Sequence, residues 1–131
     1  REYPVAIVVG DIDNLKIIND SQGHAFGDQA LKDSVAILQG AIRKGDVLAR
    51  VGGDEFVIVM PRTDQAAGEG VLSRVEKEMD SYNRESGSAF YLNISLGLAI
   101  AGSPADQLAD VYVQADRNMY RRKTERKKNY C

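Results

Sequence analysis

The chain has 131 residues, 44% of them hydrophobic and 27% charged, the composition of one folded domain with a single sizeable core. That excludes a disordered or fibrous chain, and no apolar run approaches the ~20 residues that span a bilayer. The net charge of −2 hides an asymmetry: residues 1–116 carry 10 basic and 18 acidic side chains, and residues 117–131 carry 7 basic and one acidic. An acidic body with a basic last helix suits a metal cation beside a polyanion, and equally a solvated helix end. The lone thiol, Cys131, excludes a disulfide framework and suits a reducing compartment. The sole histidine, His24, excludes a multi-histidine zinc site. The chain begins at Arg1 and not Met, so residues 1–131 are expected to be one domain of a longer multidomain protein.

Val5–Val9 is a short β-branched run of the kind buried on both faces of a sheet. It runs into Gly10–Asp13, where a turn is expected. Leu15–Asn19 predicts a short helix closed by Asp20-Ser21-Gln22-Gly23. A second helix is predicted from Gly27 to Ile42, with Leu31, Val35, Leu38 and Ile42 on one face. Val47–Val51 and Phe56–Met60 predict two strands of a hairpin whose tip is Gly52-Gly53-Asp54-Glu55. A third helix follows over Asp64–Arg84, then a strand over Phe90–Ala101, then a last helix from Asp106. The order β-α-α-β-β-α-β-α implies an α/β (α+β) fold: a ferredoxin-like mixed central sheet with helices packed around it.

Asp11 and Asp13 follow a buried strand, and Asp54 and Glu55 sit at a hairpin tip. If the two lie side by side, four carboxylates converge and repel unless cations neutralise them. Hard oxygen ligands of this kind suit Mg²⁺. The alternative is that Asp11–Asp13 caps the next helix and the hairpin tip is merely a turn.

Gly52-Gly53-Asp54-Glu55-Phe56 is the signature of the GGDEF family, and more of the chain resembles that family in order. Asp11-Ile-Asp-Asn-Leu-Lys16-Ile-Ile-Asn19-Asp20 is similar to its Asp-x-Asp-x-Phe-Lys-x-x-Asn-Asp segment. Gly23-His24-Ala-Phe-Gly27-Asp28 resembles its Gly-His-x-x-Gly-Asp continuation. Asn93–Gly97 resembles its Ser-x-Gly strand, and Ala115-Asp116, Met119-Tyr120 and Lys123 its final helix.

The resemblance implies a palm-type sheet and a bacterial diguanylate cyclase that joins two GTP into cyclic di-GMP with loss of two pyrophosphates. It implies a homodimer in which each 3′-hydroxyl attacks the partner's α-phosphorus, and two Mg²⁺ ions per GTP site, replaceable by Mn²⁺. Asp11, the Ile12 carbonyl and Asp54 would hold metal with Glu55 assisting, and Asp54 would help deprotonate the hydroxyl. Lys16 and Lys123 would reach the triphosphate. Gly52 and Gly53 would let ribose and phosphate approach the hairpin, besides enabling its turn. Asn19 and Asp28 would read guanine, since a carboxylate accepts from N–H groups that adenine lacks.

The family usually continues after that lysine with Gly-Arg or Gly-Lys. Here Arg126 and Lys127 stand there, leaving Lys127 as the phosphate contact. Leu15 and Gly10 also depart from the usual phenylalanine and leucine, and Gly10 is expected to loosen the strand end. Arg43-Lys44-Gly45-Asp46 matches the family's Arg-x-x-Asp inhibitory motif five residues before Gly52, with Arg74 as a second arginine for bound product. The rival readings are a catalytically silent sensor of GTP or cyclic di-GMP, and a dimerisation module. A nucleic-acid partner is not expected, because no extended basic face is visible beyond the tail. The setting expected is cytoplasmic, with a sensory domain in a parent chain that is itself soluble or membrane-anchored.

Overall fold

The computed structural model describes residues 2–13, 15–85 and 91–130, apart from the side chains of residues 17, 21, 22 and 126–130. The elements follow in the expected order: β1 (Val5–Ile12), α1 (Leu15–Gln22), α2 (His24–Ala41), β2 (Val47–Arg50), β3 (Glu55–Met60), α3 (Gln65–Glu85), β4 (Ile94–Ala101) and α4 (Leu108–Tyr130). The four strands form one sheet in the order β2-β3-β1-β4. Every neighbouring pair is antiparallel, where the helical crossovers had suggested a mixed sheet. The reason is interleaving. Each crossover joins two parallel strands, β1 to β2 and β3 to β4, and a third strand lies between them.

Alternation along β1 divides the core. Ala6, Val8 and Ile12 face a cluster with Ile18 of α1, Leu38 of α2 and Val75 and Met79 of α3. Val5, Ile7 and Val9 face Val111, Ala115 and Met119 of α4. Burying each of the larger side chains contributes roughly 1.5–3 kcal/mol, and among the described helices it is α4 that covers this second face of the sheet.

Several boundaries differ from the sequence reading: α1 runs to Gln22 through the turn expected at Asp20-Ser21-Gln22-Gly23, α4 starts at Leu108 and not Asp106, and four others have a local reason. β1 does not turn at Gly10 but continues to Ile12, with Asp11 paired to Glu55 and Ser95 on its two sides. Gly10 therefore tightens the strand end: a Cβ there would lie 2.7 Å from Leu96 Cδ2. α2 starts at His24 and not Gly27, because Gly23 breaks the chain between helices at φ 93°. α3 starts at Gln65 because Asp64 caps it, its Oδ1 accepting from the Ala67 N–H at 2.9 Å. β4 starts at Ile94 because Leu92 is bonded to Asn83 of α3 in both directions, at 2.8 Å each. Phe90, the first residue of the expected strand, lies outside the described residues.

Candidate active site

The sheet itself brings the carboxylates together. Asp11 stands beside Glu55 in the ladder, and the Ile12 N–H donates to the Asp54 carbonyl at 2.9 Å. The first strand's end and the hairpin tip are therefore held as one edge. The Asp54 carboxyl pKa is raised from its ordinary value, by burial first. The Asp11 charge, and the hydrogen bond its protonated form gives to Asp11, add to that. Glu55 is raised likewise, by burial and then by Asp116, Asp11 and Asp54.

Asp116, part of the final-helix motif, is a further carboxylate of this group. It reaches this group because of Gly97. A Cβ on Gly97 would collide with the Ala115 carbonyl and the Met119 N–H and lie 2.7 Å from Met119 Cα. The helix backbone therefore rests directly on β4. One turn beyond Met119, Lys123 extends over the strand end, its Nζ 2.8 Å from Asp11 Oδ2 and 3.4 Å from Asp13 Oδ1. Burial opposes the Lys123 charge, but these two carboxylates outweigh it and hold its pKa above the ordinary lysine value.

Asp13 is buried, and its Oδ2 accepts from Ser95 Oγ at 2.7 Å and Asn93 Nδ2 at 3.0 Å. It ties β4 to the end of β1 and gives Lys123 a second anchor. The Ser-x-Gly stretch thus has two separate tasks: Ser95 seats Asp13, and Gly97 admits α4.

Against the carboxylate edge lies a cavity of about 530 Å³, within the range usual for small-molecule sites. Lys16, Asn19, Asp28, Gly53 and Asp54 all line it, five of the residues singled out from the sequence. Asp28 is not an N-cap; it sits in the second turn of α2, exposed to the cavity. Arg50 also lines it and is absent from the sequence reading. Its guanidinium donates to the Gly52 and Gly53 carbonyls at 3.0 and 2.8 Å, bracing the hairpin tip. An arginine two residues before paired glycines was the available signal. The glycines themselves are not required by the turn. Neither has a left-handed φ, and a Cβ at Gly53 would meet nothing within 4 Å. Their small size leaves open space at the tip.

The residues present fit a divalent cation. Asp11 Oδ1 is buried with no hydrogen-bond partner among the described residues, and a hard oxygen in that state suits a hard cation. Among the described residues no three acidic, histidine or cysteine side chains close on one point. The residues that could hold such a cation are Asp11 and Asp54, with a backbone carbonyl such as that of Ile12.

The other expected residues lie apart from this cavity. Arg43 donates to Asp46 Oδ1 at 3.3 Å and to the Pro61 carbonyl and Thr63 Oγ1 at 2.7 Å each. Arg74 donates to the Ala41 carbonyl at 3.1 and 3.3 Å, two residues from Arg43 in sequence. The Lys127 and Arg126 side chains lie outside the described residues. No described helix is long and apolar enough to cross a membrane.

A four-stranded antiparallel sheet, with carboxylates converging at one edge and helices on both faces, defines a palm-like domain. Residues 1–129 match the family described as "Diguanylate cyclase, GGDEF domain", and the chain belongs to that family. It is 36% identical over 97% of its length to the Cyclic di-GMP phosphodiesterase PdeR of Escherichia coli, of which it spans 19%. It is 35% identical over 99% of its length to the Diguanylate cyclase DgcS of Shewanella oneidensis, of which it spans 43%. The GGDEF domain of DgcB from Caulobacter crescentus, crystallised with c-di-GMP, superposes with a TM-score of 0.81 at 27% identity, covering 92% of this chain and 72% of that one. The chain thus spans less than half the length of these two curated relatives.

Proposed function

We propose that this domain is a working diguanylate cyclase that condenses two GTP molecules into cyclic di-GMP and two pyrophosphates. The observation that carries the reading is the cavity in which Lys16, Asn19, Asp28 and Asp54 meet beside Asp11 and Lys123. Asn19 and Asp28 would bind the guanine, and the Asp28 carboxylate would go unpaired against adenine. Lys16 and Lys123 would neutralise the triphosphate, with Lys127 in the same tail. Asp11, Asp54 and the Ile12 carbonyl would hold Mg²⁺ or Mn²⁺, with Glu55 assisting. Bound there, the metal would activate the attacking oxygen and stabilise the leaving one. Asp54 would also help to take the proton of the 3′-hydroxyl. Gly52 and Gly53 would leave room for ribose and phosphate.

One cavity holds one nucleotide, so joining two requires a second domain face to face, and a homodimer is the working unit. The domain would act within a longer cytoplasmic or membrane-anchored protein whose sensory region controls the pairing. Arg43, Asp46 and Arg74, remote from the cavity, would bind product and lock domains in an unproductive arrangement. A second reading, a silent sensor of GTP or cyclic di-GMP, is raised by the relative named for phosphodiesterase activity.

The test is incubation of the concentrated domain with GTP and Mg²⁺, with products resolved by chromatography. Cyclic di-GMP formed with a steep dependence on protein concentration is expected. Tight GTP binding without product, even in a forced-dimer fusion, would favour the sensor.

A further inference from the structure

We infer that Gly27 is a positioning residue for base recognition, its bare Cα forming the seat that orients the Asn19 carboxamide. The inference rests on the reading of Asn19 as a guanine contact. The sequence match included Gly27 but gave it no task.

The geometry comes from the link between α1 and α2. The Gly23 N–H donates to the Asn19 carbonyl at 2.9 Å, and the Gly27 N–H donates to the Gly23 carbonyl at 3.2 Å. With Gly23 at φ 93°, the first turn of α2 is folded back onto the last turns of α1. The Asn19 side chain then lies against the buried Gly27. A Cβ at Gly27 would collide with Asn19 Oδ1 and stand 2.6 Å from its Cγ and 3.3 Å from its Nδ2. All three heavy atoms beyond Asn19 Cβ are thus within reach of one methyl group. No small shift relieves that, but rotation about the Asn19 side-chain bonds does. The backbone can stay in place because the atom in the way belongs to a flexible side chain. Alanine is also a better helix former than glycine. Gly27→Ala therefore acts on the site and not on the helix: Asn19 leaves its seat while α2 persists. Asn19, Gly27 and Asp28 line the same cavity, so the displaced carboxamide is one that faces the ligand.

The experiment is a double-mutant cycle on the domain: wild type, G27A, N19A and N19A/G27A. Binding of a non-hydrolysable GTP analogue and of inorganic tripolyphosphate is measured by calorimetry, with thermal unfolding in parallel. G27A is expected to weaken the GTP analogue by about five- to tenfold, the scale of one lost hydrogen bond. Tripolyphosphate affinity and the unfolding temperature should stay close to wild type. N19A should lose a similar factor, and the double variant no more than N19A alone. Wild-type binding by G27A, fully additive losses, or equal loss of tripolyphosphate affinity would each overturn the inference. Wild-type binding by N19A would overturn it through the functional reading, a distinguishable failure. If G27A alone does not fold, recovery of folding in N19A/G27A supports the collision, and no recovery overturns it.

Discussion

Lys123→Met removes the one described cation bonded to both Asp11 and Asp13, and the structure sets the size of the loss. The side chains of Lys123, Asp11 and Asp13 are 27%, 17% and 8% exposed. Exposed ion pairs contribute about 0–1 kcal/mol, while breaking a buried one costs about 3–5 kcal/mol. The triad is intermediate, so a loss of about 2–3 kcal/mol is expected. At ~4 °C per kcal/mol for a chain of this length, the unfolding temperature should fall by about 8–12 °C. The sign with pH follows from the raised Lys123 pKa. Its stabilisation is complete below the ordinary value of 10.5 and disappears as pH rises through the higher folded value. The gap between variant and wild type should therefore be constant across neutral pH and close only in strong alkali. Calorimetry without nucleotide measures it. Mg²⁺ should also stabilise the variant more than the wild type, because Asp11 then has no competing ammonium. A variant within about 2 °C of the wild type at pH 7 would refute the view that Lys123 neutralises the strand end.

Asp54→Asn should separate stability from chemistry. Burial and Asp11 raise the Asp54 pKa, so its contribution to stability is present below the ordinary 3.8 and lost as pH rises through the folded value. At neutral pH the charged form is the disfavoured one, so removal of the charge should leave the fold at least as stable as wild type, while product formation ceases. A variant that is active, or less stable, contradicts this. Arg43→Ala should relieve product inhibition and spare the initial rate. It should also lower stability by about 1 kcal/mol through its lost bonds to Pro61 and Thr63. An unchanged inhibition curve would show that the Arg-x-x-Asp stretch is structural only.

The element order was legible because periodicity and turn residues are local signals. The boundaries missed were decided by contacts distant in sequence or by single bonds. β1 was expected to turn at Gly10, since glycine and aspartate weaken a strand. Pairing with β3 on one side and β4 on the other carries it three residues further. The purely antiparallel sheet was hidden for the same reason: the pattern shows which strands a helix connects, not which strand inserts between them.

The cavity residues were legible because each chemistry needs a particular side chain: carboxylates for a cation or a guanine edge, lysines for phosphate. The supporting residues were not. Ser95, Gly97, Arg50 and Asp116 carry no chemistry that composition would single out. Their value comes from what the fold places against them. Gly97 is the clearest case. It lies 26 residues before Lys123 in the chain, yet the absence of a methyl group there sets the depth of α4 on the sheet. That depth decides whether the Lys123 ammonium reaches Asp11. The reach of a catalytic-edge lysine is thus governed by a residue with no side chain on a different element. A short motif containing both Ser95 and Gly97 records two packing constraints: one on Asp13 and one on the helix that neutralises it.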